Sequence, residues 1–205
     1  MDFGPQVSRS FGTLREMLAD RATSSPEMYA VAAQELLAVT AADLARLSLQ
    51  HAFLLPLASE EERGADAKLR VLYMLHPKFR IADVKRVLDG RSNVSTTVVL
   101  ITLDKPSSTH LRNLKVFFPK LQVFQLTELL YNVTKHHLVP KHEVVDEAEV
   151  NEIMGKFNLK SKQQLPHISV SDPVARYLAL RPGTVIRVTR PSPSAGMYVS
   201  YRCCV

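Results

Sequence analysis

The stretch Ser171-Asp172-Pro173-Val174-Ala175-Arg176-Tyr177 sets the architecture of the C-terminal part of the chain. An aspartate carboxylate accepts hydrogen bonds from the free amides of a first helical turn. A proline at the first helical position has no amide to leave unsatisfied. Asp172-Pro173 therefore predicts a helix start. Toward the C-terminus, Arg181-Pro182-Gly183 predicts a turn, because proline presets one dihedral and glycine accepts a positive φ. Thr184–Arg190 and Met197–Cys203 then predict two strands joined by Pro191-Ser192-Pro193-Ser194-Ala195-Gly196, a β-hairpin. On the last strand Met197, Val199, Tyr201 and Cys203 share one face, and Tyr198, Ser200 and Arg202 share the other. Toward the N-terminus, Glu147–Phe157 predicts a helix with Val150, Ile153, Met154 and Phe157 on one side. Together these elements make a small α+β module ending in a hairpin.

Further upstream the pattern is different. Leu69–Leu75 and Val94–Leu103, the second rich in Val, Ile and Thr, predict strands. Ile81–Asp89 predicts a helix closed by Gly90, placed where a left-handed residue is favoured. Ser107 and Ser108 after Pro106 are capping candidates for a helix carrying Leu111, Leu114 and Val116-Phe117, which Pro119 ends; Leu121–Phe124 predicts a further short strand. Strand, helix, strand, helix, strand is the order of an α/β layer. Before it, Phe11, Leu14 and Leu18, then Met28, Val31 and Leu36, then Leu44 and Leu47 recur at helical spacing. Pro26 after Thr23-Ser24-Ser25 opens the second of these helices. Ser59–Lys68, dense in charge and holding Gly64, predicts a solvated loop.

Apolar residues make up 46% of the 205 residues and charged residues 22%, an ordinary globular composition able to bury a core without metals or disulfides. The two cysteines, Cys203 and Cys204, are adjacent and cannot staple distant segments, so they predict reduced thiols on a terminal strand. The N-terminus lacks a secretory pattern and no run approaches a membrane span, which predicts a soluble intracellular protein. The net charge is +6, and from Lys160 onward Asp172 is the single acid among many bases. A basic face of that kind suits nucleic acid, an acidic protein surface, or simply solvation.

The sequence offers no active site. Its seven glycines are scattered and form no phosphate loop. His136, His137 and His142 have no partners at zinc-finger or metalloprotease spacing, which favours surface or interface histidines over metal ligands. A two-metal nuclease site needs converging carboxylates, and Asp104 has none on the neighbouring strand. No serine lies in a nucleophile elbow. No catalytic residue, metal, cofactor or small-molecule substrate is expected.

Leu138-Val139-Pro140 with Lys141-His142, then Leu165-Pro166-His167-Ile168 and Ser171–Tyr177, are followed in order by Gly183, Arg190-Pro191-Ser192, Ala195-Gly196, Tyr198 and Tyr201-Arg202. In this order and spacing the segment Thr127–Arg202 resembles the fifth common subunit of eukaryotic nuclear RNA polymerases, which has a shorter homologue in the archaeal polymerase. The resemblance implies a non-catalytic structural and assembly subunit of DNA-directed RNA polymerase, located in the nucleus. It implies a C-terminal assembly domain over 131–205, the part shared with archaea, that docks on the largest polymerase subunit. It also implies an N-terminal α/β domain over 1–130, nuclease-like in fold, that forms part of the jaw near downstream DNA. Arg176, Tyr177, Arg190, Tyr198, Tyr201 and Arg202 become the docking candidates, Arg and Tyr being typical interface anchors; Tyr177 and Tyr201 equally suit the module's own core. Lys105, Pro106, Ser107 and Arg112 become the DNA-proximal candidates, with Lys105 and Arg112 either contacting phosphate or simply solvated. Pro166, Asp172, Pro173, Gly183 and Gly196 specify the fold through caps and turns.

His167 stands where the family usually has Arg, Met197 where it often has Arg, and Pro193 where it often has Glu; the N-terminal third matches loosely. These departures suit a divergent paralogue dedicated to one nuclear polymerase, or a viral or protist version. The alternative function is a free-standing basic nucleic-acid-binding protein using the C-terminal hairpin. A degenerate nuclease-like enzyme is a third reading.

Overall fold

Thr97–Thr102 and Leu69–Met74 are buried at every position, the pattern of strands covered on both faces. They form the centre of the first of two sheets in the computed structural model, which describes residues 4–24, 26–48, 50, 52–55, 69–76, 79–88, 96–194 and 196–205. The predicted loop Ser59–Lys68, Gly90, and the first residues of the strand expected from Val94 lie outside the described residues. The chain divides into two units, Met1–Tyr131 and Asn132–Val205. Both mix helices with a sheet.

The first unit begins with three helices, α1 (Gly4–Ser24), α2 (Pro26–Ala38) and α3 (Ala41–Ser48). Its sheet runs β1 (Ala52–Leu54), β2 (Leu69–Met74), β3 (Thr97–Thr102) and β4 (Leu121–Gln125) in that order. The last three strands are parallel and β1 is antiparallel to β2. Crossovers α4 (Ile81–Leu88) and α5 (Ser108–Phe117) join the parallel strands. Crossovers of one hand between strands laid down in sequence order must lie on the same face. Accordingly Val84, Leu88, Leu114 and Phe118 pack together against Leu72, Met74, Val98, Leu100 and Leu121. The opposite face meets α1: Tyr73 stacks on Phe53 with ring centroids 4.9 Å apart, and its hydroxyl lies 3.1 Å from Ser10 Oγ. Burial pushes the Tyr73 phenol well above its ordinary range. Buried Arg21 of α1 sets its guanidinium 5.5 Å from the Tyr29 ring and 6.0 Å from the Phe124 ring.

The second unit has a four-stranded sheet in the order β5 (Lys141–Val144), β7 (Val185–Ser192), β8 (Gly196–Cys204) and β6 (His167–Ile168). Strand β7 pairs antiparallel with β5 on one side and β8 on the other, while β6 runs parallel to β8. Helix α6 (Glu147–Lys156) covers one face, with Val150 and Ile153 on Val145, Leu165, Val185 and Cys203. Helix α7 (Pro173–Tyr177) covers the other, with Ala175 on Ile168, Ile186, Val188 and Cys204. This two-sided cover is why adjacent Cys203 and Cys204 are both buried, as free thiols on opposite faces of one strand. Burial also pushes the Cys204 thiol up.

Both helices end alike. After α6, Asn158 takes φ 52° while Leu159 N donates to Met154 O and Asn158 N to Gly155 O. After α7, Ala179 takes φ 53° while Leu180 N donates to Ala175 O and Ala179 N to Arg176 O. These paired bonds close a helix through a left-handed residue. No helix among the described residues is long and apolar enough to cross a membrane.

Candidate subunit-docking surface

The β7–β8 hairpin extends past the cover of both helices. Alternation would bury one face of each strand, yet Met197, Tyr198 and Val199 are consecutive and all exposed, at 62%, 46% and 44%. Tyr198 lies opposite Arg190, whose guanidinium sits 5.1 Å from the ring centroid, and Met197 lies opposite Pro191. The turn closes with Ser192 opposite Gly196, whose φ of 69° L side chains rarely adopt. An arginine stacked on a tyrosine, flanked by exposed methionine and valine, is the composition of a protein–protein anchor.

The hairpin is held at its base. Arg187 Nη1 donates to Glu149 Oε1 of α6 at 2.8 Å, and Arg187 Nε lies 3.5 Å from Glu143 of β5. Glu143 also meets Lys141 Nζ at 2.7 Å. The Lys141 hydrogen bond, with the Lys141 and Arg187 charges behind it, holds the Glu143 carboxyl below the usual carboxylate range. These bonds tie β5, β7 and α6 together and leave the open end of the hairpin outside the network.

The docking candidates separate by position. Arg190 and Tyr198 form the exposed end. Tyr201 is half-buried and packs edge-on against the exposed ring of Phe157 at 6.4 Å, so it serves the core and borders the surface. Arg202 is exposed but spends one Nη1 donor on His167 O at 3.0 Å, clamping β8 to β6. Arg176 is half-buried on α7. Of the two readings open for Tyr177, docking or core, its burial fits the core. It is buried at 3%, and its hydroxyl accepts a hydrogen bond from Asn132 Nδ2 at 2.9 Å. The five-residue helix turns it inward with Val174 and Ala175, so it braces the unit's interior. Met197, Val199 and Phe157 belong to the exposed surface and were missing from the candidates. The available signal was three apolar residues in succession beside a polar turn.

The turn and cap residues sit in the geometry their chemistry needs. Asp172 accepts from Val174 N at 2.8 Å and Ala175 N at 3.4 Å, with Pro173 in the first turn. Gly183 takes φ 87° and donates its amide to Cys204 O at 2.9 Å. Pro166 O accepts from Cys203 N at 2.8 Å.

In the first unit Lys105, Ser107 and Arg112 are exposed and Pro106 is buried. Ser107 caps α5, its Oγ accepting from His110 N at 3.3 Å. His136 and His137 stack on each other at 4.6 Å, and His142 Nδ1 lies 2.7 Å from Pro140 O. Among the described residues no cluster of His, Cys, Asp or Glu is arranged to hold a metal.

The chain is similar to known proteins over much of its length. Residues 131–204 match the family model for RNA polymerase Rpb5, C-terminal domain. A subunit of DNA-directed RNA polymerases I, II, and III from Caenorhabditis elegans is 38% identical over 153 residues, covering 73% of this chain and 71% of that protein. The corresponding subunit from Dictyostelium discoideum is 34% identical over 134 residues, covering 63% of this chain and 68% of that protein. Subunit 5B of DNA-directed RNA polymerases IV and V from Arabidopsis thaliana is 36% identical over 114 residues, covering 56% of this chain and 51% of that protein. By these matches, and by a second unit whose bounds nearly coincide with the matched domain, the chain belongs to the Rpb5 family of DNA-directed RNA polymerase subunits.

Proposed function

We propose that the chain is a non-catalytic structural subunit of a multi-subunit nuclear RNA polymerase, held there by its second unit. The largest subunit is the proposed partner, and the open end of the β7–β8 hairpin the proposed contact. The observation that carries this is the exposed run Met197-Tyr198-Val199 with Arg190 on Tyr198, at the end of a domain whose relatives are named as polymerase subunits. Exposed apolar and Arg–Tyr surface is costly in a free protein and useful in an assembly.

The first unit is proposed to form the jaw near downstream DNA. Exposed Lys105 and Arg112 then supply charge to the phosphate backbone without reading sequence. Nucleotidyl transfer belongs to other subunits. A free-standing nucleic-acid binder gains no observation of its own, because the relatives are named as polymerase subunits.

Sedimentation of a nuclear extract tests the proposal. The chain is expected to travel with the large particles that make RNA from a DNA template, and to make none by itself. A chain that sediments near its own mass of 23.0 kDa, away from the RNA-synthesising fractions, overturns it.

A further inference from the structure

A second exposed surface lies in the first unit, on the side of α4 and α5 turned away from the sheet. The inner side of α5 buries Leu114 on the core. Its outer side exposes Val116 at 75% and Phe117 at 51%. Arg112 is exposed four residues before Val116, so both lie on one line of the helix, and exposed Lys115 adjoins them. From α4, Lys85 sets its ammonium 3.3 Å from the Phe117 ring centroid, and Arg86 is largely exposed. The described acid on this side of α4 is Asp83, and it lies 3.5 Å from Arg86. The surface therefore joins two large apolar side chains to four cations.

We propose that this face binds an acidic protein segment carrying aliphatic or aromatic side chains among its carboxylates. The charge is complementary to carboxylates, and bidentate arginine suits them in particular. Nucleic acid shares the negative charge, but a phosphate backbone gives an exposed valine nothing to bury against. An acidic segment with leucine or phenylalanine covers Val116 and the open edge of Phe117 while its carboxylates reach Arg112, Lys115 and Arg86. This mode resembles an amphipathic segment laid along a helix pair. The surface stands on different residues from the hairpin, so the chain can be anchored through one unit and engage an acid-rich regulatory protein through the other.

The test is fluorescence anisotropy on the purified full-length chain. The probe is a labelled synthetic peptide in which Asp and Glu alternate with Leu and Phe. The comparison peptide replaces each Leu and Phe with Ser at unchanged charge. Saturable binding of the first, at least tenfold tighter than the second, is expected. Val116→Gln and Phe117→Gln should each weaken it at least fivefold, and Arg112→Gln should weaken both peptides alike. Val116 and Phe117 are exposed, so unchanged thermal unfolding shows that those losses are not a loss of fold. Equal affinity for the two peptides, or no effect of the two apolar substitutions, overturns the proposal. A DNA duplex competes with the peptide for Arg112 through its phosphates, but only the peptide should weaken with Val116→Gln; a Val116→Gln chain that keeps the parent affinity for both duplex and peptide overturns the proposal in favour of nucleic acid.

Discussion

Ala179 holds φ 53° at the end of α7, a left-handed backbone that costs an L residue about 1–2 kcal/mol. Glycine meets the same position without that cost, so Ala179→Gly should stabilise the second unit by about 1 kcal/mol in chemical denaturation. Asp172→Ala removes the carboxylate that caps two amides of α7 and should destabilise by about 1 kcal/mol, while Asp172→Asn should lose much less. A third residue sets a pH limit. The folded-state pKa of Tyr73 lies above that of the unfolded chain, chiefly through burial. Its contribution is complete below the unfolded pKa of about 10 and declines as pH rises beyond it. Stability of the first unit should therefore fall above about pH 10, and Tyr73→Phe, which keeps the stack on Phe53, should flatten that fall in pH-dependent melting. Single residues were legible in the sequence where their chemistry is local. Asp172 and Ser107 are caps because an aspartate before proline and a serine before a helix satisfy free amides whatever the surroundings. Tyr177 stayed open between docking and core in the sequence, because a five-residue helix carries too short a pattern to tell its inner side from its outer.

At the scale of elements, β3, α5 and the β7–β8 hairpin follow from composition and turn chemistry. Strand β5 does not, since Lys141-His142-Glu143-Val144 holds one aliphatic residue and becomes a strand by pairing with β7. Strand β6 is two residues long, and its existence depends on β8 beside it. Strand β1 adds an antiparallel edge that the strand–helix alternation gave no cause to expect. The hairpin was visible as an element, and Arg190 and Tyr198 on it as docking candidates, but the point where its cover stops was not, because alternation assigns a buried face and only the length of the flanking helices decides where cover ends. Tyr198→Ala or Met197→Asp should therefore change unfolding free energy by less than about 0.5 kcal/mol, as expected of exposed positions. Each should release the chain from its assembly at lower salt, measured by co-purification across a salt series. Equal salt resistance to the parent chain would place the contact elsewhere. The base of the hairpin adds its own pH response. Glu143, held low mainly by Lys141, contributes above its unfolded pKa and loses that contribution as pH falls through its lowered folded value.

At the scale of the whole molecule, the two units Met1–Tyr131 and Asn132–Val205 each carry their own sheet and core. Residues 132–205 expressed alone should unfold cooperatively, as a self-contained core allows; a broad, gradual transition would show that the core needs more of the chain. The change from parallel α/β order to a capped helix and hairpin was legible in the sequence because the two halves use different connection chemistry. The covering of both sheet faces in the second unit was not, and the burial of both Cys203 and Cys204 is its consequence. Membership of a polymerase assembly is tested by affinity purification of the tagged chain from its own cells at moderate salt, with mass spectrometry of the companions. The largest polymerase subunits should be recovered with the chain, and their identity will tell a shared subunit from a dedicated one. Recovery of the chain with no polymerase subunit above background would show that it is not held in such an assembly.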